Sequence, residues 1–240
     1  MGIYEGAHMA TCATLKKLRA ANKGLVILDA RDRAFEKYGR VLKGVKPTKA
    51  LALAKKQKPG ARIVYQASVK GLEADARFLA QVRDRFYGGM PIQIGWCFGF
   101  NSLLNAVEYH KGIEVAMAVT DVVCVVGDER DINWQGRTPT YSSSKTEIFY
   151  LPAGTLVELH PWCLHYAPVH VRSSVGFCTI VCLPKATNTE GPRLRNAKGE
   201  ERILLKRNKW LLAHKAAAGL AKAGAVVGIT GANLKVNPIS

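Results

Sequence analysis

The chain has 240 residues, a size that allows one substantial domain with appendages, or at most two domains. With 48% apolar and 22% charged residues, it lies outside the compositions of disordered, collagen-like and coiled-coil proteins. No apolar run reaches the roughly 18 residues of a membrane helix. The start shows no signal-peptide pattern, so we expect a cytoplasmic protein without a membrane span.

The net charge of +17 is distributed unevenly. Residues 1–60 carry 14 basic and 4 acidic side chains, and residues 185–240 carry 11 and 3, whereas the middle of the chain is nearly neutral. No helix-turn-helix, zinc-finger or RNP spacing accompanies the basic ends, so nucleic acid is not an expected partner. The charge is then either a solvated surface or a field that attracts an anionic small substrate.

The first part of the chain mixes helical and extended patterns. Apolar residues recur at helical spacing within 15–21, 50–54 and 72–82, and short extended runs occupy 25–28 and 63–64. We therefore expect residues 1–87 to form an α/β N-terminal extension.

After Gly88-Gly89 the pattern changes to short β-rich runs bounded by turn residues. The runs occupy residues 92–94, 103–109, 115–119, 122–126, 148–151, 156–159, 166–171 and 177–183. Eight candidate strands in so short a segment predict a mainly β jelly-roll barrel over 88–184. The basic segment 185–240 is expected to pack back on that barrel.

Polar side chains with metal-binding chemistry lie in the second of these runs and just beyond it. Glu108 and His110 are two residues apart on a strand, so their side chains share a face. Gly112 permits a turn, after which Glu114 begins the next strand and returns to the same point. Two carboxylates and an imidazole suit a divalent cation such as Mn, Fe, Zn or Ni. The alternative is an exposed rim of ordinary charges.

A second group of interest follows the turn at Pro152-Ala-Gly154. His165 begins a later strand and is a candidate fourth ligand, unless it is a core histidine bonded to backbone. His160 competes for the same role, but Pro161 turns the chain directly after it.

The two motifs resemble those of the cupins. The first cupin motif reads His-x-His-x(3 or 4)-Glu, and residues 108–114 fit it with Glu in place of the leading His. The second opens with Pro-x-Gly, as residues 152–154 do, but its His is expected where Val157 stands, and the nearest histidines are His160 and His165. The resemblance implies a cupin-type jelly-roll barrel that holds a divalent metal through Glu108, His110, Glu114 and His165.

Residues 85–95, 105–110, 164–168 and 208–211 look like a narrower, poorly characterised cupin-like family of carbohydrate catabolism. Cupin relatives with a His/Glu metal site include sugar isomerases and ureidoglycolate lyase. The resemblance implies a metal-dependent aldose-ketose isomerase acting on a sugar. The alternatives are ureidoglycolate-lyase-like or other metal-assisted hydroxy-acid chemistry, and a non-catalytic sugar-binding cupin.

Specific roles follow for the residues near the motifs. The base that moves a proton between C1 and C2 is expected among Glu158, Lys111 and Tyr166. Substrate oxygens are expected to contact Arg85, Tyr87, Gln93, Asn105 and Lys185. Because the chain is so basic, with Arg85, Lys111 and Lys185 near the motif strands, we expect the sugar to be an acid, phospho or sulfo sugar. The expected assembly is a homodimer.

Overall fold

The structure, a computed structural model, describes residues 13–240. Of the extension predicted over 1–87, residues 1–12 therefore lie outside the described part of the chain. The helices are α1 (residues 13–21), α2 (Lys49–Ala54), α3 (Lys70–Glu73), α4 (Ala76–Phe86) and α5 (Ala218–Lys222). The strands are β1 (Ile27–Asp29), β2 (Gly39–Leu42), β3 (Val64–Gln66), β4 (Ile92–Gly99), β5 (Ala106–Tyr109), β6 (Glu114–Ala118), β7 (Val122–Asp128), β8 (Tyr141–Ser142), β9 (Glu147–Leu151), β10 (Leu156–Leu159), β11 (Cys163–Leu164), β12 (Val169–His170), β13 (Phe177–Pro184), β14 (Leu204–Lys206), β15 (Lys209–His214) and β16 (Val226–Thr230).

These strands form three sheets. A six-stranded sheet has the order β2-β10-β6-β13-β4-β3. A second sheet, here called the β7 sheet, has the order β1-β9-β7-β11, with β12 also paired to β7. The third, here called the C-terminal sheet, has the order β14-β15-β16-β8, with β5 paired to β15. The fold is mainly β, and its curled sheets form the predicted jelly-roll barrel.

Alternation along the strands separates the faces of the six-stranded sheet. On β6, Val115 and Met117 pack against the helices α2 to α4, whereas Ala116 and Ala118 face the interior between the six-stranded and β7 sheets. The small alanines on that inner face leave room for a cavity. On β7, Val123 and Val125 instead pack toward the C-terminal sheet. The barrel interior is thus covered on both outer sides.

Strands from the first 87 residues join the barrel sheets. β1 pairs in parallel with β9, β2 pairs antiparallel with β10, and β3 pairs antiparallel with β4. The predicted division of the chain at 87/88 and 184/185 stays a prediction. Among residues 13–240, no helix is both long and apolar enough to cross a membrane.

The helical period predicted over 72–82 is divided into α3 and α4 by Asp75. The carboxylate of Asp75 accepts hydrogen bonds from the backbone N–H of Phe78 at the start of α4 and from those of Thr48 and Ala50 at the start of α2. One buried carboxylate therefore caps two helices, which fixes them on the outer face of the six-stranded sheet.

Candidate metal centre

Backbone pairing places Glu108 directly opposite His165. The Glu108 N–H donates to the His165 carbonyl at 2.7 Å, and the His165 N–H donates to the Glu108 carbonyl at 2.9 Å. Beyond the end of β5, Gly112 adopts a φ of 136°, a region that favours glycine, and the chain turns back into β6. That turn brings Glu114, the first residue of β6, beside His110 and His165.

The four side chains predicted as ligands are brought together by this arrangement. The Nε2 atom of His110 lies 4.0 Å from Glu108 Oε1 and 3.7 Å from Glu114 Oε2. His165 Nε2 lies 3.3 Å from the same Glu114 oxygen. All four residues are buried. Ligand atoms of Glu108, His110 and His165 all lie within 4.8 Å of one another, which is the spacing of a site for one ion.

Both imidazole rings are oriented by backbone carbonyls. His110 Nδ1 lies 2.6 Å from the Asn208 carbonyl oxygen, and His165 Nδ1 lies 2.9 Å from that of Cys163. A carbonyl only accepts, so each Nδ1 carries the hydrogen and a neutral ring then presents a lone pair at Nε2. Neither buried Nε2 atom has a hydrogen-bond partner. Metal-binding histidines in proteins are held in this way.

Lys209, at the start of β15, is a neighbour of the cluster that the sequence analysis did not assign. Its Nζ forms an ion pair with Glu108 Oε2, and it lies 5.9 Å from the centre of the Tyr166 ring. The lysine therefore holds one oxygen of Glu108 and leaves the other directed toward the histidines. In the sequence, Lys209 lies within 208–211, a segment that carries the family resemblance but indicates no role for the lysine.

The ionisation of the cluster reflects burial and charge. Burial acts to raise the pKa of Glu108, but Lys209 and the two histidines outweigh it, so the pKa lies below its ordinary value. Burial lowers the pKa of His110. Burial also disfavours the charged form of His165, but the Glu114 carboxylate outweighs burial and raises the pKa of His165 well above its ordinary value.

A cavity of about 60 Å³ opens from the cluster into the barrel interior. One ordered water needs about 10–15 Å³ of such space, so the cavity accepts a short ligand. The side chains that line it include Glu108, Glu114 and His165, the polar residues Tyr65, Tyr166, Thr179 and Asn188, and an apolar wall of Ala116, Ala118, Val122, Leu151, Val157, Leu159 and Val181.

Glu158 is not brought to this cavity. Its neighbours Val157 and Leu159 line the cavity, and alternation along β10 sends Glu158 to the opposite face. There its carboxylate pairs with Arg40 of β2 at 2.8 Å. Of the three residues predicted to supply a base, Tyr166 alone lines the cavity, whereas Lys111 pairs outside it with Glu200 at 2.9 Å.

The five residues predicted to bind substrate also lie away from the cavity lining. Tyr87 donates to the Cys182 carbonyl at 2.6 Å in the core, and Asn105 bonds to Asn101. Gln93 is bonded to the loop after β13, as described below. Arg85 and Lys185 are the remaining two; Arg85 donates to the Gly44 carbonyl at 3.3 Å, and Lys185 is exposed. His160, the competing ligand candidate, lies against the Trp162 ring.

The fold and the site define a jelly-roll barrel protein with a buried cluster of two glutamates and two histidines. The chain belongs to a family described as a domain of unknown function, DUF4867, whose profile matches residues 27–234. No curated protein matches the chain.

Several solved structures are similar to part of the chain. Oxalate decarboxylase of Bacillus subtilis is 9% identical with a TM-score of 0.31, over 55% of this chain and 28% of that one. Fe(II)-HppE is 13% identical with a TM-score of 0.31, over 67% and 60%. Salicylate 1,2-dioxygenase from Pseudoaminobacter salicylatoxidans is 12% identical with a TM-score of 0.29, over 60% and 37%. This chain spans between 28% and 60% of the length of these three structures.

Proposed function

We propose that the protein is a metal-dependent enzyme that interconverts a short aldose and its ketose. The observation that carries the metal is the pair of buried Nε2 atoms, on His110 and His165, that face carboxylates and have no hydrogen-bond partner. The donor set of imidazole nitrogens and carboxylate oxygens suits Mn, Fe, Zn or Ni. A divalent metal bound there would supply Lewis-acid polarisation of a carbonyl and its adjacent hydroxyl.

Glu108, His110 and His165 are the proposed holders of the metal, because their ligand atoms are mutually close. Glu114 was predicted as a fourth ligand, and its Oε2 lies 3.7 Å and 3.3 Å from the two Nε2 atoms, but it is not among the three residues whose ligand atoms are all within 4.8 Å of one another. It is also the carboxylate of the cluster without a lysine partner, since Lys209 is bonded to Glu108. We assign to Glu114 the task of taking the proton from the carbon beside the carbonyl and returning it to the carbonyl carbon, while the hydroxyl proton on the first of these carbons passes to the former carbonyl oxygen.

Tyr166 lines the same cavity as this proton carrier and provides a hydrogen-bond donor there. Burial raises the pKa of Tyr166, so its hydroxyl keeps its proton at neutral pH and donates to a substrate oxygen. The apolar wall of the cavity excludes water from the proton that is being moved.

The negative charge expected on the sugar has less support. Arg85, Lys111 and Lys185 were predicted to attract it, but they lie outside the cavity. The described cavity lining contains no arginine or lysine, and Lys209 beside it is already paired. A neutral sugar therefore fits the lining better.

Deuterium exchange tests the proposal directly. Protein loaded separately with Mn, Fe, Zn or Ni is incubated in deuterated water with aldoses of about three to six carbons, and the products are followed by NMR. We expect the ketose to form with deuterium, at least in part, at the carbon that receives the proton. The His110→Ala variant should form no ketose. Metal-loaded protein that forms no ketose from any of these aldoses would contradict the isomerase.

A further inference from the structure

Tyr65 and Asn188 meet at the cavity from distant parts of the chain. Tyr65 lies on β3, at the edge of the six-stranded sheet, and Asn188 lies in the loop after β13. The Asn188 side-chain amide donates to the Tyr65 hydroxyl at 2.7 Å. Both residues line the cavity that also contains Glu108 and Glu114.

The loop that carries Asn188 is held by hydrogen bonds to Gln93 and to the backbone of Arg207. Gln93 accepts from the Ala186 N–H at 2.7 Å and donates to the Thr187 carbonyl at 2.9 Å. The Asn188 N–H donates to the Arg207 carbonyl at 2.9 Å. Gln93, predicted to bind substrate, therefore acts on the loop that positions Asn188.

The pair has hydrogen-bonding capacity that the protein does not use. Asn188 is only 9% exposed, and its Oδ1 atom is buried without a hydrogen-bond partner. Buried acceptors in native proteins normally have a partner. Tyr65 accepts from Asn188 through its hydroxyl oxygen, so its own hydrogen is left to donate. The pair thus presents one buried free acceptor and, beside it, a donor on Tyr65, which is 39% exposed.

We propose that Tyr65 and Asn188 form a specificity subsite that binds a neutral hydroxyl group of the ligand. A hydroxyl donates to Asn188 Oδ1 and accepts from Tyr65 in the same position, which uses both unfilled groups. A carboxylate, phosphate or sulfonate has no hydrogen to donate to Asn188 Oδ1. Its negative charge would also lie in the same cavity as Glu108 and Glu114, so the subsite rejects it. A methyl group leaves both polar groups unpaired.

This inference deepens the proposed function, on which it rests for the metal-bound end of the ligand. The test uses binding, so it does not depend on turnover. Calorimetry on metal-loaded full-length protein measures the affinities of glycerol, erythritol and xylitol, each compared with its terminal-deoxy analogue. We expect wild type to bind at least one polyol about tenfold more tightly than its deoxy analogue, as the loss of one hydrogen bond implies.

The Tyr65→Phe and Asn188→Leu variants should lose that preference with unchanged metal content and unchanged affinity for the deoxy analogue, because each removes one of the two polar groups of the subsite. Tyr38→Phe is the matched control, because its hydroxyl donates to Glu147 away from the cavity and its loss should leave the preference intact. Equal binding of every polyol and its deoxy analogue by wild type, or an unchanged preference in both variants, would overturn the subsite. A wild type without metal would overturn the proposed function instead, and the same titrations on that protein would still test the subsite.

Discussion

His110 and His165 are held in the same way. Each has Nδ1 on a backbone carbonyl and Nε2 facing the Glu114 carboxylate, at 3.7 Å and 3.3 Å. Two such lone pairs beside two carboxylates form a stable arrangement when a cation lies among them. Without one, protons must take that place, as the raised pKa of His165 indicates.

Lys209 should support metal binding through Glu108. Replacing Lys209 by Met removes the ion pair that holds Glu108 Oε2, and we expect metal affinity to fall about 10–100-fold, as for other residues that orient a ligand. Competition with a chelator measures the affinity. Lys111→Met, which removes a lysine paired with Glu200 outside the cavity, is the control and should bind metal as wild type does. Equal affinities in the two variants would show that Lys209 does not position Glu108.

Glu114 and Glu158 lie on adjacent strands but on opposite faces, which makes them a matched pair. Glu114→Gln should retain metal and lose turnover by about 10²-fold or more, because a general base typically contributes that much. The control is Glu158→Gln, which changes a carboxylate paired with Arg40 on the other face. It should keep both its metal and its turnover. Metal content and steady-state rates are measured on the same preparations. Loss of metal in Glu114→Gln would make Glu114 a ligand and remove it as the base.

The cluster shows which parts of a site a sequence reveals. The period of two along β5 and the turn at Gly112 bring Glu108, His110 and Glu114 to one place, and this was visible in the sequence. Lys209 was not assigned, because its proximity depends on the pairing of β5 with β15, about a hundred residues away. Alternation along β10 could not tell whether Glu158 faces the barrel interior or the outside, because that depends on how the sheets pack.

The fold shows the same division between local and long-range information. The jelly-roll class followed from many short runs with turn residues between them, which is a local signal. Apart from β5, the strands of the C-terminal sheet were not predicted, since Leu204–Lys206 and Val226–Thr230 become strands by pairing with β15. Tyr65 and Asn188 likewise meet only because β3 and the loop after β13 border the same cavity.

Asp75 should contribute substantially to stability. Asp75→Ala removes a buried carboxylate that caps α2 and α4, and we expect a loss of about 1–3 kcal/mol in the free energy of unfolding. Denaturant unfolding followed by circular dichroism measures it. Asp84→Ala, at an exposed position of α4, is the control and should leave the free energy of unfolding close to that of wild type.

The effect of Asp75 should depend on pH. Burial acts to raise the pKa of Asp75, but hydrogen bonds from backbone N–H groups outweigh it and hold the pKa below 3.8. A lowered folded pKa gives stability that is present above the unfolded pKa and is lost as pH falls through the folded value. The difference between wild type and Asp75→Ala should therefore narrow below about pH 4. A constant difference down to pH 2 would contradict this account.

Salt should have little effect on catalysis if the substrate is neutral. The +17 charge lies on surfaces outside the cavity, so we expect kcat/KM to change less than about twofold between low and high salt. A steep fall in kcat/KM with salt would instead show steering of an anionic substrate.

Anomalous diffraction tests the metal centre most directly. Crystals of protein purified without chelator are measured on both sides of the absorption edges of Mn, Fe, Ni and Zn. The account predicts one anomalous peak about 2.0–2.3 Å from Nε2 of His110 and of His165 and from a carboxylate oxygen of Glu108. Density without an anomalous peak at any of these edges, with the two Nε2 atoms bonded to water or to Glu114, would contradict it.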